Sequence, residues 1–144
     1  MKKLCSQCQH KRDIKFFSSN RKNAICNDCK HKNLRLRVYN SPKAVNKRKD
    51  DEWSRLVKER AGFKCEYCGK KDYLNSHHIF SRSNRSVRWD LDNGICLDSG
   101  CHVFSSVFSA HKTPAEFVEF IKDKRGEEWY QSLRVKAKSI CKNA

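Results

Sequence analysis

The sequence predicts a small α+β fold organised around bound zinc, and three observations carry that expectation. Nine cysteines fall in 144 residues, eight of them in four close pairs (5/8, 26/29, 65/68 and 96/101), with Cys141 left over near the C-terminus. Two stretches, Tyr73–Phe80 and "GICL", read as short strands on either side of a polar loop. Most of what remains carries the three-to-four-residue apolar spacing of helices. No apolar run approaches the ~20 residues of a membrane span. The start "MKKLCSQCQH" lacks the apolar stretch of a secretory signal. The expected setting is therefore intracellular, with no membrane partner. There thiols stay reduced, and cysteine pairs serve metal rather than disulfides.

The first unit is "CSQCQHKRDIKFFSSNRKNAICNDC". Each C-x2-C turn points two thiolates at one ion, so Cys5, Cys8, Cys26 and Cys29 are expected to close a structural tetrahedral site, a zinc ribbon or knuckle pair. Phe16 and Phe17 are expected to cover its small core. His10 and His31 sit close by, as alternative ligands or, on the preferred reading, as surface residues.

Charge separates this unit from the rest. Residues 1–49 hold 15 Lys/Arg against 2 Asp/Glu, a balance of +13, while residues 50–144 hold 17 against 14, a balance of +3. Such a block attracts a polyanion, because each neutralised phosphate releases condensed counterions.

Lys30–Asn40 reads as a basic helix with Leu34, Leu36 and Val38 on its apolar side, interrupted by Pro42. The segment "SPKAVNKRK" is the expected linker. A helix "DDEWSRLVKERAG" follows, with Asp50, Asp51 and Glu52 in its first turn, Trp53, Leu56, Val57 and Arg60 on one face, and Gly62 as its stop. The Trp53 stripe reads as core packing. Near the C-terminus, Thr113-Pro114-Ala115-Glu116 has capping-box spacing. Phe117, Phe120 and Ile121 form one helical stripe, Gly126 ends it, and Trp129, Leu133, Ala137 and Ile140 form another.

The chemistry is concentrated in "KCEYCGKKDYLNSHHIFSRSNRSVRWDLDNGICLDSGCHVF". Cys65-x2-Cys68-Gly69 is a knuckle turn, and a helix is expected to begin near Cys101, giving strand, loop, strand and helix around a metal. His77 and His78 are adjacent, so on an extended strand they point to opposite faces and suit different tasks.

The pattern "CEYCG…SHHIF…DNGICLDSGCH" resembles the HNH family of nucleases over roughly residues 53–125, and "AHKTPAEF" is similar to the continuation in phage-type members. Such nucleases fold as a ββα-metal (His-Me) finger, here expected to be flanked by helices. The resemblance implies a metal-dependent endonuclease acting on double-stranded DNA, in the host cytoplasm if phage-encoded. It implies His78 as general base, His77 and His102 on a catalytic divalent metal (Mg2+, Mn2+, Ni2+ or Zn2+), His111 completing the set, and Asn93 holding His78 in place. Imidazole titrates near neutrality, which suits a base that activates water. The expected organisation is a zinc module at 1–33, a basic helix and linker at 34–52, the nuclease domain at 53–112 and packed helices at 113–144.

One departure concerns the second structural zinc, expected on Cys65, Cys68 and Cys101. Family members usually carry C-x-x-C-H where this chain has Asp98-Ser99-Gly100-Cys101-His102. Cys96 and Asp98 share a strand face. Sulfur makes the tighter closed site, so Cys96 is the expected fourth ligand and Asp98 the alternative. Arg82, Arg85 and Arg88 crowd the loop between the histidines and Asn93 as expected phosphate contacts. A non-catalytic zinc finger is the main alternative, though a pure scaffold needs neither histidine nor Asn93. The other is an RNA nuclease, which the residues alone leave open.

Overall fold

The computed structural model describes residues 1–18 and 24–139; Ile140 and Cys141 lie outside these residues. The chain divides into two compact units, Met1–Arg48 and Lys49–Ala144, each built on one two-stranded antiparallel sheet among the described residues.

In the first unit, β1 (Lys2–Leu4) pairs with β2 (Lys11–Asp13), with Lys3 opposite Arg12. The hairpin turn carries Cys5 and Cys8, and a bridge between Phe17 and Cys26 returns the chain to the first cysteine pair. Cys26 is the N-cap of α1 (Asn27–Tyr39), which places Cys29 in its first turn. Cys5, Phe17, Ala24 and Cys26 form the small core. Phe16 stays outside it at 41% exposure, so one phenyl ring rather than two covers the site. The expected apolar side of α1 is likewise unburied: no α1 residue is buried, and Leu34, Leu36 and Val38 are all exposed.

The expected linker is helix. α2 runs Pro42–Arg60, because Pro42 sits where a first helical residue needs no N–H and the Ser41 hydroxyl accepts from the Ala44 N–H at 3.3 Å. Asp50, Asp51 and Glu52 therefore lie mid-helix, not in a first turn, and act through side-chain contacts instead of the helix dipole.

In the second unit, β3 (Leu74–His78) pairs with β4 (Gly94–Asp98), placing His77 opposite Ile95 and His78 opposite Gly94. Alternation divides the hairpin. Ile95 and Leu97 join Phe108, Phe117 and Ile121 in one core, and Cys96 packs against Trp53 and Val57 in the other. Gly94 permits the close approach of α2: a Cβ there would lie 2.3 Å from a Val57 methyl and 3.0 Å from the Trp53 ring. The helix expected near Cys101 is a single π-helical turn, Gly100–Phe104. α3 (Pro114–Arg125) and α4 (Glu127–Lys138) follow, joined at Gly126, whose φ of 93° suits glycine. Thr113 makes no capping box; its hydroxyl accepts from Ser109 N–H and donates to Ser109 C=O instead.

A half-buried ion pair ties these parts together. The Glu66 carboxylate meets Arg125 at 3.1 Å and accepts from the Cys96 N–H, and both Arg125 and Arg60 donate to the Gly94 carbonyl. Among the described residues no helix is long and apolar enough to cross a membrane.

Candidate functional site

Three groups of ligand-type side chains converge. In each, the ligand atoms lie within 4.8 Å of one another. The first is Cys5, Cys8, Cys26 and Cys29, the sulfurs of Cys5 and Cys29 and of Cys8 and Cys26 each 3.9 Å apart. His10 and His31 are exposed and outside it. Four thiols and no open position describe a closed structural zinc site.

The second group is Cys65, Cys68, Asp98 and Cys101. Cys96 is not part of it, which corrects the sequence expectation. Parity does put 96 and 98 on one strand face, but about 7 Å apart along it. Cys96 lies under Trp53 and Val57, fully buried, and burial pushes its thiol up to about 11. Asp98, at the end of β4, accepts from the Cys68 thiol at 3.0 Å and the Gly100 N–H at 2.8 Å. Burial opposes its charge, yet hydrogen bonds from Cys101, Cys68 and Cys65 hold the carboxyl far below the usual range. Three sulfurs and a carboxylate oxygen are an acceptable zinc set.

The third group is His77, His102 and His111. β3 supplies His77, whose ring packs edge-on against Phe117 of α3. The π-helical turn supplies His102, and backbone bonds from Ala110 and His111 N–H to the Cys101 and His102 carbonyls bring His111 alongside. His102 Nε2 is 3.1 Å from His77 Nδ1 and 3.3 Å from His111 Nε2. Burial, then the neighbouring charges of His102 and His111, push His77 down to about 3. His102 is lowered for the same reasons. His77 is therefore neutral at physiological pH, with its lone pair available to a metal.

His78 points the other way, as strand alternation requires. Its ring lies on the indole of Trp53, centroids 3.8 Å apart and planes within 11° of parallel. Its Nε2 is 2.8 Å from the Arg88 carbonyl. A carbonyl only accepts, so Nε2 carries the hydrogen and Nδ1 keeps the lone pair. Burial lowers the His78 pKa, partly offset by the bond to that carbonyl, which favours the neutral ring.

Asn93, fully buried, closes the loop at its base. Its Oδ1 accepts from the Phe80 N–H at 2.7 Å, and its Nδ2 donates to the Phe80 and Val87 carbonyls at 2.9 and 3.0 Å. Its own carbonyl accepts from Ile79 N–H. All this fixes the backbone beside His78, a positioning task.

The three loop arginines differ. Arg88 donates to both carboxylate oxygens of Asp50, at 2.9 and 2.6 Å, and is mostly buried. Arg82 reaches Asp50 at 2.9 Å with most of its side chain exposed, and Arg85 is exposed. Arg88 is thus a structural clamp; Arg82 and Arg85 are the arginines presented to solvent.

His77, His78, His102 and His111 all border one cleft of about 570 Å³, with Asp50, Trp53, Ser54, Ser76, Ser81 and Arg82. Sequence reasoning missed Asp50 and Trp53 as parts of this site. Asp50 also accepts from the Trp89 indole N–H at 2.9 Å, and the Arg88 hydrogen bond, aided by that of Trp89 and by the charges of Arg88 and Arg82, holds its carboxyl below the usual range against the opposing effect of burial. The spacing of Asp50 and Trp53, one helical turn apart, was the available signal. Comparison with family models, curated proteins and solved structures returned no match to this chain.

Proposed function

We propose that the second unit is a metal-dependent endonuclease that hydrolyses phosphodiester bonds of double-stranded DNA, using an HNH-type arrangement. One observation carries the reading: a three-imidazole cluster and a separately held fourth imidazole border the same cleft. The second unit's antiparallel hairpin followed by a one-turn helix supports the ββα-metal finger reading that the sequence resemblance implies.

His77, His102 and His111 would hold the ion, and three protein ligands leave positions for water and substrate. When bound, such an ion acts as a Lewis acid toward a phosphoryl oxygen and makes a bound water more acidic. His78 accepts a proton from the attacking water at Nδ1, while Trp53 and the Arg88 carbonyl fix its ring. Asn93 holds the chain at Ile79 and Phe80, so the base does not drift. Arg82 and Arg85 meet the backbone phosphates of the duplex. The Cys5/Cys8/Cys26/Cys29 and Cys65/Cys68/Asp98/Cys101 groups would each hold one structural zinc ion.

The test is nicking of supercoiled plasmid with Mg2+, Mn2+, Ni2+ or Zn2+ returned after mild chelation, beside His78→Ala and His102→Ala. Wild type should cut with at least one metal and both variants should lose cutting by at least a hundredfold, with DNA binding retained. Equal cutting by His78→Ala would overturn the assignment of the base. Cleavage of RNA but not DNA would move the substrate class.

A further inference from the structure

α1 has features that the catalytic cleft does not explain. It buries none of its 13 residues, though such a helix ordinarily packs a stripe into a core. Its only acidic residue, Asp28, is engaged by Arg12 at 3.1 Å. The helix is fixed to its own unit on one side, where Cys26 and Cys29 join the thiol cluster and Asn33 exchanges hydrogen bonds with Gln7 at 2.8 and 3.1 Å. On the other side Leu34 and Val38, one turn apart, form an apolar ridge at 59% and 62% exposure. At 3.6 residues per turn, Arg35 and Arg37 project about 80° to either side of that ridge.

We infer that this outward face of α1 docks in the major groove of duplex DNA, with the Leu34–Val38 ridge toward the base edges and Arg35 and Arg37 toward the phosphates of the two groove walls. The inference takes DNA as the polymer from the proposed function, but it requires no cutting. The major groove admits one α-helix, and apolar side chains there meet thymine methyl groups. The unit is strongly basic: residues 1–48 hold 14 Lys/Arg against 2 Asp/Glu. Other polyanions fit less well. A lipid surface selects helices that segregate apolar and charged faces, whereas α1 places a cation on each side of its ridge. Single strands are held by a succession of stacking platforms, whereas α1 carries one Tyr, Tyr39, and one face of its ring already meets the Arg48 guanidinium 4.0 Å from its centroid.

The experiment uses the full chain carrying His78→Ala, zinc-loaded, and follows fluorescence anisotropy of a labelled duplex between 50 and 200 mM salt. Arg35→Ala/Arg37→Ala should flatten the log–log salt dependence by about 1.8, two phosphate contacts at ~0.9 each. The pair Lys11→Ala/Lys43→Ala removes the same charge from exposed positions of the unit off this face, and should leave the slope unchanged. Leu34→Glu, at an exposed position that costs the fold little, should weaken binding at least tenfold. Zinc content measured on each variant confirms an intact module. Equal flattening by both double variants would show diffuse charge rather than a docked helix and overturn the inference. So would unchanged binding by Leu34→Glu, or tighter binding of single-stranded DNA, duplex RNA or anionic vesicles. Loss of plasmid cutting by the parent chain, with these binding results intact, would instead count against the proposed function alone.

Discussion

The Trp53 indole lies flat on the imidazole of His78, 3.8 Å between centroids. The indole N–H is held by the Asp90 carbonyl at 2.9 Å, so the platform cannot rotate away. Trp53 is thus both core and the wall of the cleft. Trp53→Phe keeps a smaller ring and loses that hydrogen bond. Cutting should fall on the order of ten- to a hundredfold, the cost of a misplaced group, while zinc content and DNA affinity stay near wild type. Single-turnover nicking beside binding isotherms makes the comparison.

Asp50 links the arginine clamp to His78, the proposed base: its carboxylate holds the Arg88 guanidinium, and the Arg88 carbonyl receives the His78 N–H. Asp50→Asn weakens that clamp and removes one negative charge beside the cleft. The maximal cutting rate should drop about tenfold, while affinity for DNA holds or rises. A residue that only stabilised the fold would lower rate and melting temperature together, so a thermal melt run in parallel separates the two.

Asp98 makes the two candidate structural zinc sites unequal. A carboxylate forms a weaker closed site than a fourth thiolate, so a colorimetric chelator should draw zinc from the purified protein in two phases, two ions per chain in total. Asp98→Cys should slow the fast phase. Cys96→Ser should leave two ions bound, since Cys96 packs on Trp53 and Val57 and not on the metal cluster.

The His77, His102 and His111 group contains three imidazoles and no carboxylate. Imidazole donors suit Zn2+, Ni2+ and Co2+, whereas Mg2+ favours oxygen ligands. Nicking should therefore reach its maximum at lower concentrations of Ni2+, Co2+ or Zn2+ than of Mg2+. His111→Ala, which removes the most exposed ligand, should raise the metal concentration needed at least tenfold.

Gly94 faces Val57 and Trp53 with no room for a methyl group. Gly94→Ala should cost about 1–3 kcal/mol by overpacking, read as a lower midpoint in thermal or denaturant unfolding. Because the strain falls on Trp53, cutting should decline more than stability alone explains.

Much of this arrangement is legible in the residues. Cysteine spacing identifies both knuckles, and strand alternation alone separates the faces of His77 and His78. Other parts depend on distance in space. Cys96 and Asp98 obey the same parity, and only the position of α2 over Cys96 decides between them. The stretch after Ser41 reads as a linker because it is polar and basic, yet a serine cap and a first-turn proline are enough to start a helix there. Asp50 looks like a dipole-favourable residue until the helix is seen to begin two turns earlier. Arg88 looks like a phosphate contact until its partner, 38 positions away in sequence, is in place.

The pairing of β3 with β4 has a consequence for how this hairpin can change. Sliding one strand by a single residue exchanges the faces of His77 and His78, delivering the proposed proton acceptor to the imidazole cluster and the proposed ligand to the indole. A slide of two restores each to its own side. Chain-length changes in the hairpin that shift the pairing by an odd number should therefore abolish the chemistry without altering composition. Even shifts should be forgiven more often, so under the proposed function parity becomes a heritable requirement of the site.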